Sequence, residues 1–168
     1  MASDQAVNSF DEAGFRRALG CFGTGVALVA ADDDDGLAHG LTVNSFTSVS
    51  LDPPIILWCL DEGSAAYAVF ADAETFSVNI LCAGSQDVSK RFSMEGDRTL
   101  AANEVHRLAT GAPVLKGALA SFDCHVKWRQ KAGDHLVLFG GVDAFERLEE
   151  GEGLGYFRGG YTTLSQAG

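Results

Sequence analysis

Six hydroxyl or amide side chains fall within nine residues: Thr42, Asn44, Ser45, Thr47, Ser48 and Ser50. No charge interrupts them before Asp52. Neutral donors and acceptors at this density suit a polar, planar ligand and its phosphate. A solvated strand with polar side chains outward accounts for the same composition, and on composition alone it is the simpler reading. Lys90 and Arg91 are adjacent cations in a chain short of positive charge. They could meet a phosphate, or they are an exposed helical pair, which is preferred until something else links them to a ligand. The four histidines, His39, His106, His125 and His135, lack zinc-ligand spacing, and Cys124 and His125 would point to opposite faces of a strand. A metal site is therefore not expected. Cys21, Cys59, Cys82 and Cys124 form no Cys-x-x-Cys pair and fall in segments that read as buried, so they are expected to be reduced core thiols.

These residues need a scaffold. Apolar residues do not recur at helical spacing around Thr42, whereas Thr42, Val43, Phe46, Thr47 and Val49 are β-branched or aromatic; an extended chain from Leu37 to Ser50 is expected. Before it, Gly25 to Ala31 reads as a buried strand, and the four aspartates and glycine of Asp32–Gly36 as an exposed hairpin tip. That tip lacks the spaced ligands of a calcium loop. A helix is expected over Ser9 to Phe22, with capping-box spacing between Ser9 and Glu12 and an apolar face of Phe15, Ala18, Leu19 and Phe22. Arg16 and Arg17 read as its solvated flank. Ile55 to Leu60 is a short apolar strand after Pro53-Pro54. Ser64 and Ser85 are expected N-caps of two further helices, the first running through Ala73 with Ala66, Val69 and Phe70 inward. Phe76 to Cys82 is a strand between them. Residues 95–113 read as loop with one helical turn. Ala120 to Arg129 alternates, with Phe122, Cys124, Val126 and Trp128 on the buried face and Asp123, His125, Lys127 and Arg129 outward. His135 to Phe145 returns as a long strand. The run Gly155–Tyr161 is aromatic and glycine-rich, fit to stack on a planar ligand or a partner subunit.

The chain of 168 residues carries 12 basic and 23 acidic side chains, a net charge of −11. That balance disfavours nucleic acid and anionic membranes as partners. No apolar run reaches the roughly 18 residues of a membrane span, and Met1 to Gln5 lack the features of a signal peptide; a cytoplasmic address is expected. There is no repeat, linker or composition break, so one domain is expected, its core at about residues 10–164. About six strands in hairpins with three short helices suggest a β-barrel with helical decoration. The Rossmann fingerprint, the Walker motif and the Gly-x-Ser-x-Gly elbow are absent.

Five segments together resemble the short-chain flavin reductases, whose fold is the FMN-binding split barrel. They are Phe15–Gly20 with Gly23–Val26; Gly40–Ser50 with Pro53-Pro54; Phe76–Leu81; Gly133-Asp134-His135; and Tyr156–Tyr161. Each is weak alone, but they follow the family's order. The resemblance implies a mainly β split barrel with short helices, and a homodimer with flavin in a groove near the subunit interface. It implies that Thr42, Val43, Asn44 and Ser45 run along the isoalloxazine. Ser48, Val49 and Ser50, with Lys90, Arg91 and Phe92, would meet the ribityl and phosphate groups. Leu60, Asp61 and Ser64 would line the other side. His135 is the catalytic candidate, on the nicotinamide side with Tyr161, and Phe157 and Arg158 would contact either cofactor. The hydroxyl-rich strand and the basic pair then share one explanation.

The activity implied is flavin reduction: hydride transfer from NADH or NADPH to FMN or FAD, with the reduced flavin passed to a separate monooxygenase. The alternative is a non-reducing flavin- or haem-binding protein on the same barrel, since fold does not fix function. An oxidase of amine-bearing vitamers is a further option.

Overall fold

The computed structural model describes residues 10–166. A helix α1 (Glu12–Leu19) is followed by β1 (Thr24–Gly25), β2 (Ala27–Asp32), β3 (Ala38–Val43), β4 (Thr47–Leu51) and β5 (Pro54–Asp61). Next come α2 (Tyr67–Asp72), β6 (Thr75–Ile80), α3 (Gln86–Ser93), β7 (Val105–Arg107) and β8 (Pro113–Leu115). The chain ends in two hairpins, β9 (Ala120–Ala132) with β10 (His135–Arg147), and β11 (Gly153–Phe157) with β12 (Gly160–Leu164).

Seven strands form one antiparallel sheet in the order β3-β2-β6-β9-β10-β5-β4. Its outermost strands, β3 and β4, are joined by only Asn44, Ser45 and Phe46. A three-residue link reaches about 10 Å when extended, so the sheet must curl until its two edges are neighbours. No ladder joins them, and the barrel stays split along that seam. The link has no glycine or proline to announce it. It is made by tertiary contacts. The Ser45 Oγ accepts from Cys59 N at 2.9 Å and donates to Cys59 O at 3.3 Å, standing in for the backbone partner that β4 no longer supplies. Phe46 turns inward and stacks on Phe122, with ring centroids 5.6 Å apart. The single strand expected over Leu37–Ser50 is therefore two strands on opposite edges.

β2 is buried on both faces, which explains its unbroken apolar run. Val29 faces a core of Trp58, Leu60, Phe70, Phe76, Val78, Cys124 and Leu138. Leu28 faces a second cluster with Leu81, Phe92, Leu115 and Leu154. Phe92 lies against Gly40, where a β-carbon would come within 2.7 Å of the ring. Gly40→Ala is expected to cost about 1–3 kcal/mol by forcing that buried ring aside, measurable as a lower urea midpoint at unchanged slope.

Other expectations change with the fold. α1 starts at Asp11, whose Oδ1 accepts from Gly14 N at 2.8 Å; the Ser9 cap lies outside the described residues. Its apolar face is largely exposed, with Phe15 at 51% and Leu19 at 58%, as is Phe22 beyond its end at 78%; Phe15 meets Phe10 edge-on at 5.2 Å. α2 is capped at Ala66 without a side-chain bond, and Ser64 Oγ accepts from Ala66 N instead. Residues 95–113 contain β7 and the start of β8, a two-stranded sheet. Asn79 ties it to the barrel, accepting from Leu115 N and donating to Leu28 O and Ser77 Oγ. Asp123, expected outward, is fully buried and accepts from both the amide and the hydroxyl of Thr110. Trp128, expected inward, is 45% exposed and stacks on Phe139. Of the cysteines only Cys124 is buried; Cys21 is exposed, and Cys59 and Cys82 are half-buried.

Candidate functional site

At the end of β3, beside the link that crosses the seam, lies a groove with two chambers. They share Thr42, Val43, Asn44 and Ser93. The larger, about 400 Å³, is polar and is completed by Ser45, Cys59, Asp61, Ser64, Arg98 and His135. The smaller, about 230 Å³, is walled by Val26, Ser89, Tyr156 and Tyr161.

The floor is the outer edge of β3. Backbone groups alternate across a strand, and at Ala38 and Gly40 they point outward, to Leu100 N and from Gly40 N to Arg98 O. By that period Thr42 also presents its N–H and C=O outward, beyond the reach of segment 98–100. The floor thus offers an amide donor and acceptor without partners among the described residues. Its side chains are less free. Thr42 Oγ1 donates to Ser89 O at 2.8 Å, and the Ser45 hydroxyl is spent on Cys59. Asn44 is exposed at the centre, lining both chambers and a third cavity with Ser48.

The walls come from distant elements. His135 opens β10 directly opposite Asp61 of β5. The two-residue turn before it has Gly133 at φ 63°, the first-position glycine of a tight hairpin. Asp134 Oδ1 lies 2.8 Å from His135 Nδ1, and that bond holds the Asp134 carboxyl below its ordinary value. In the neutral ring Nδ1 is then the donor, and Nε2 has no partner among the described residues. Burial pushes the Cys59 thiol up, so it meets the groove as a neutral group. Tyr161 packs edge-on to Tyr156, and its hydroxyl is 2.8 Å from the buried Ser89 Oγ.

Of the residues expected in a site, the groove brings together Thr42, Val43, Asn44, Ser45, Asp61, Ser64, His135 and Tyr161. Ser48 is one cavity away. The others stand elsewhere. Leu60 and Phe92 are core side chains. Val49 and Lys90 are exposed, and Ser50 is half-buried in β4. Phe157 is exposed. Arg158 lines a separate cavity of about 620 Å³ with Arg16 and Arg17. Arg91 is turned away into an ion pair with Glu104 at 2.7 Å and a bond to Thr99 O. The sequence reading missed Arg98, Ser93 and Cys59. Arg98 stands in a segment without periodicity, and only pairing to β3 delivers it here.

Burial acts to raise the Glu104 carboxyl, but Arg91 and the Ala101 amide outweigh it, and the net shift is below the ordinary 4.5. A carboxyl lowered on folding contributes stability above its unfolded value and loses it as pH falls through the folded one. The melting-temperature gap between wild type and Glu104→Gln is expected to be complete at neutral pH and to close as pH drops below 4.5.

The flavin reductase like domain matches residues 19–165 of this chain. The reductase component of a flavin-dependent trigonelline monooxygenase from Acinetobacter baylyi is 40% identical over 99% of the chain and 53% of that protein. A flavin reductase of Pseudomonas putida is 36% identical, over 96% of this chain and 95% of its own length. The chain spans about half the length of some curated relatives, 51% for one from Rhizobium meliloti. A Streptomyces globisporus NADH:FAD oxidoreductase, solved with NAD and FAD fragments, superposes with a TM-score of 0.81 at 30% identity. That match covers 92% of this chain and 93% of the other.

Proposed function

Because this chain belongs to the flavin reductase like domain family, we propose that it is an NAD(P)H-dependent flavin reductase whose groove at the barrel seam holds FMN or FAD. The observation that carries the reading is the uncharged end of β3 at Thr42, whose outward backbone groups have no partner among the described residues, in a polar chamber that His135 also lines. The residues fit such a ligand. The Asn44 side chain and the Thr42 backbone have donors and acceptors without partners among the described residues, and Tyr156 and Tyr161 offer ring surface in the adjoining chamber. Two-electron transfer from nicotinamide to flavin is the chemistry the bound cofactors supply.

The chain's own groups do the rest. Thr42 and Asn44 hold the ring edge with neutral donors, which stabilise charge that develops on reduction. His135 orients the nicotinamide, with its Nδ1 fixed on Asp134 and Nε2 turned to the ligand. We further propose that residues 10–164 act as one unit of this type, and that two copies pair. What supports pairing is the largely exposed apolar surface of α1 and its flanks, with Phe10, Phe15, Leu19 and Phe22 all exposed. Sedimentation is expected to give twice the chain mass; a monomer at micromolar concentration contradicts it. The reduced flavin would serve a separate monooxygenase.

The test is a matrix of nicotinamide oxidation rates, NADH and NADPH against FMN and FAD. Turnover is expected in at least one combination. No turnover in any, with flavin bound, would leave a binding protein and overturn the reading. For export, the reductase and an oxygenase are placed on opposite sides of a dialysis membrane; product on the oxygenase side is expected.

A further inference from the structure

We infer that Arg98 is the anion anchor of the groove, taking a phosphate ester of a bound nucleotide, and that Arg91 is a positioning residue acting through it. The inference rests on the nucleotide reading of the groove.

Among the residues lining the polar chamber, Arg98 is the one permanent cation. Its Nη1 donates to Phe92 O at 2.7 Å, which fixes the direction of the guanidinium. Its Nε is buried and has no partner among the described residues. A buried donor without a partner is costly, and Nη2, which has no hydrogen-bond partner among the described residues, is the guanidinium nitrogen left to meet a ligand in the chamber. Arginine presents a planar fork matched to phosphate oxygens. In a chain of net charge −11, an anionic ligand depends on a local cation of this kind. Asp61, the carboxylate in the same chamber, disfavours an anion settling on its side and directs the phosphate to Arg98.

What holds Arg98 there is a strap. Residues 98–100 run along the outer edge of β3, with Gly40 N donating to Arg98 O at 2.8 Å and Leu100 N to Ala38 O at 2.7 Å. Arg91 clamps it from α3. One guanidinium nitrogen donates to Thr99 O at 2.6 Å, the other to Glu104 Oε1 at 2.7 Å. The second Glu104 oxygen accepts from Ala101 N at 2.7 Å. Arg91 thus reaches the ligand only through the segment that carries Arg98.

FMN and riboflavin differ by the phosphate alone, so their affinity ratio reads the anchor. Fluorescence titration is expected to show that Arg98→Met lowers the FMN-over-riboflavin preference at least tenfold, with riboflavin affinity within about twofold of wild type. Arg98→Lys should recover part of the preference, since it keeps the charge and loses the fork. Arg91→Met should lower the preference less, and Lys90→Met not at all. A second arm measures the KM for NADH with riboflavin as acceptor. A tenfold rise in Arg98→Met with the flavin preference unchanged would assign the anchored phosphate to the nicotinamide nucleotide, still at Arg98. If neither quantity moves, or both flavins weaken equally alongside a lower melting temperature, Arg98 is structural and the inference is wrong. If wild type binds neither flavin, the flavin reading itself falls and takes this inference with it.

Discussion

His135→Ala is expected to lower kcat for nicotinamide oxidation about a hundredfold, while flavin affinity changes less than about threefold. Groups that orient a reactant or handle a proton contribute on the order of 10²–10⁴ in rate, and we take the lower end because His135 orients a ring and does not form a bond. The expected split between rate and affinity comes from position. His135 stands on β10 and lines the same chamber as the β3 edge proposed to hold the flavin. Asp134→Ala should cost much less, since that side chain is 90% exposed and an exposed pair is worth little. Stopped-flow reduction and flavin titration of the same variant check the split. An equal loss of both would make His135 a wall of the groove and nothing more.

Trp58→Ala is expected to remove about 3–5 kcal/mol of stability. Trp58 is fully buried and meets Phe70 and Phe76 edge-on, at 5.6 and 5.9 Å. In a domain of this size that is a fall in melting temperature of about 10 °C or more. Trp58→Phe should cost under about 1.5 kcal/mol. The indole Nε1 is buried without a partner among the described residues, and removing an unsatisfied donor offsets part of the lost volume. Urea unfolding of both variants checks this. Equal loss in the two would mean that Nε1 is satisfied in solution. The position matters for the groove because Cys59, the next residue along β5, forms its wall.

The elements were legible where local pattern determines them. β2 reads from its apolar run, the β2–β3 hairpin from its aspartates, and the β9–β10 hairpin from an alternating strand followed by the long strand that returns from His135. What could not be read was long-range. Nothing in Asn44-Ser45-Phe46 marks a strand break, because the break is made by Cys59 and Phe122, residues that lie far along the chain. Asp123 occupies a polar position of an alternating strand, yet the 105–115 sheet covers it and Thr110 satisfies it. The site divides the same way. The residues of Thr42–Ser45 stand out by composition and line the groove. Lys90 and Arg91 stand out equally, but α3 directs them away. Arg98 carries no local signal, because pairing with β3 is what brings it to the chamber.

We propose the groove at the barrel seam as the flavin site. Amide chemical-shift mapping of the ¹⁵N-labelled protein during FMN titration tests this directly. The largest shifts are expected at Thr42–Ser45, Asp61–Ser64, Arg98, His135 and Tyr161. Shifts concentrated instead at Ala13–Cys21 and Arg158-Gly159, around the larger arginine-lined cavity, would place the flavin elsewhere and contradict it.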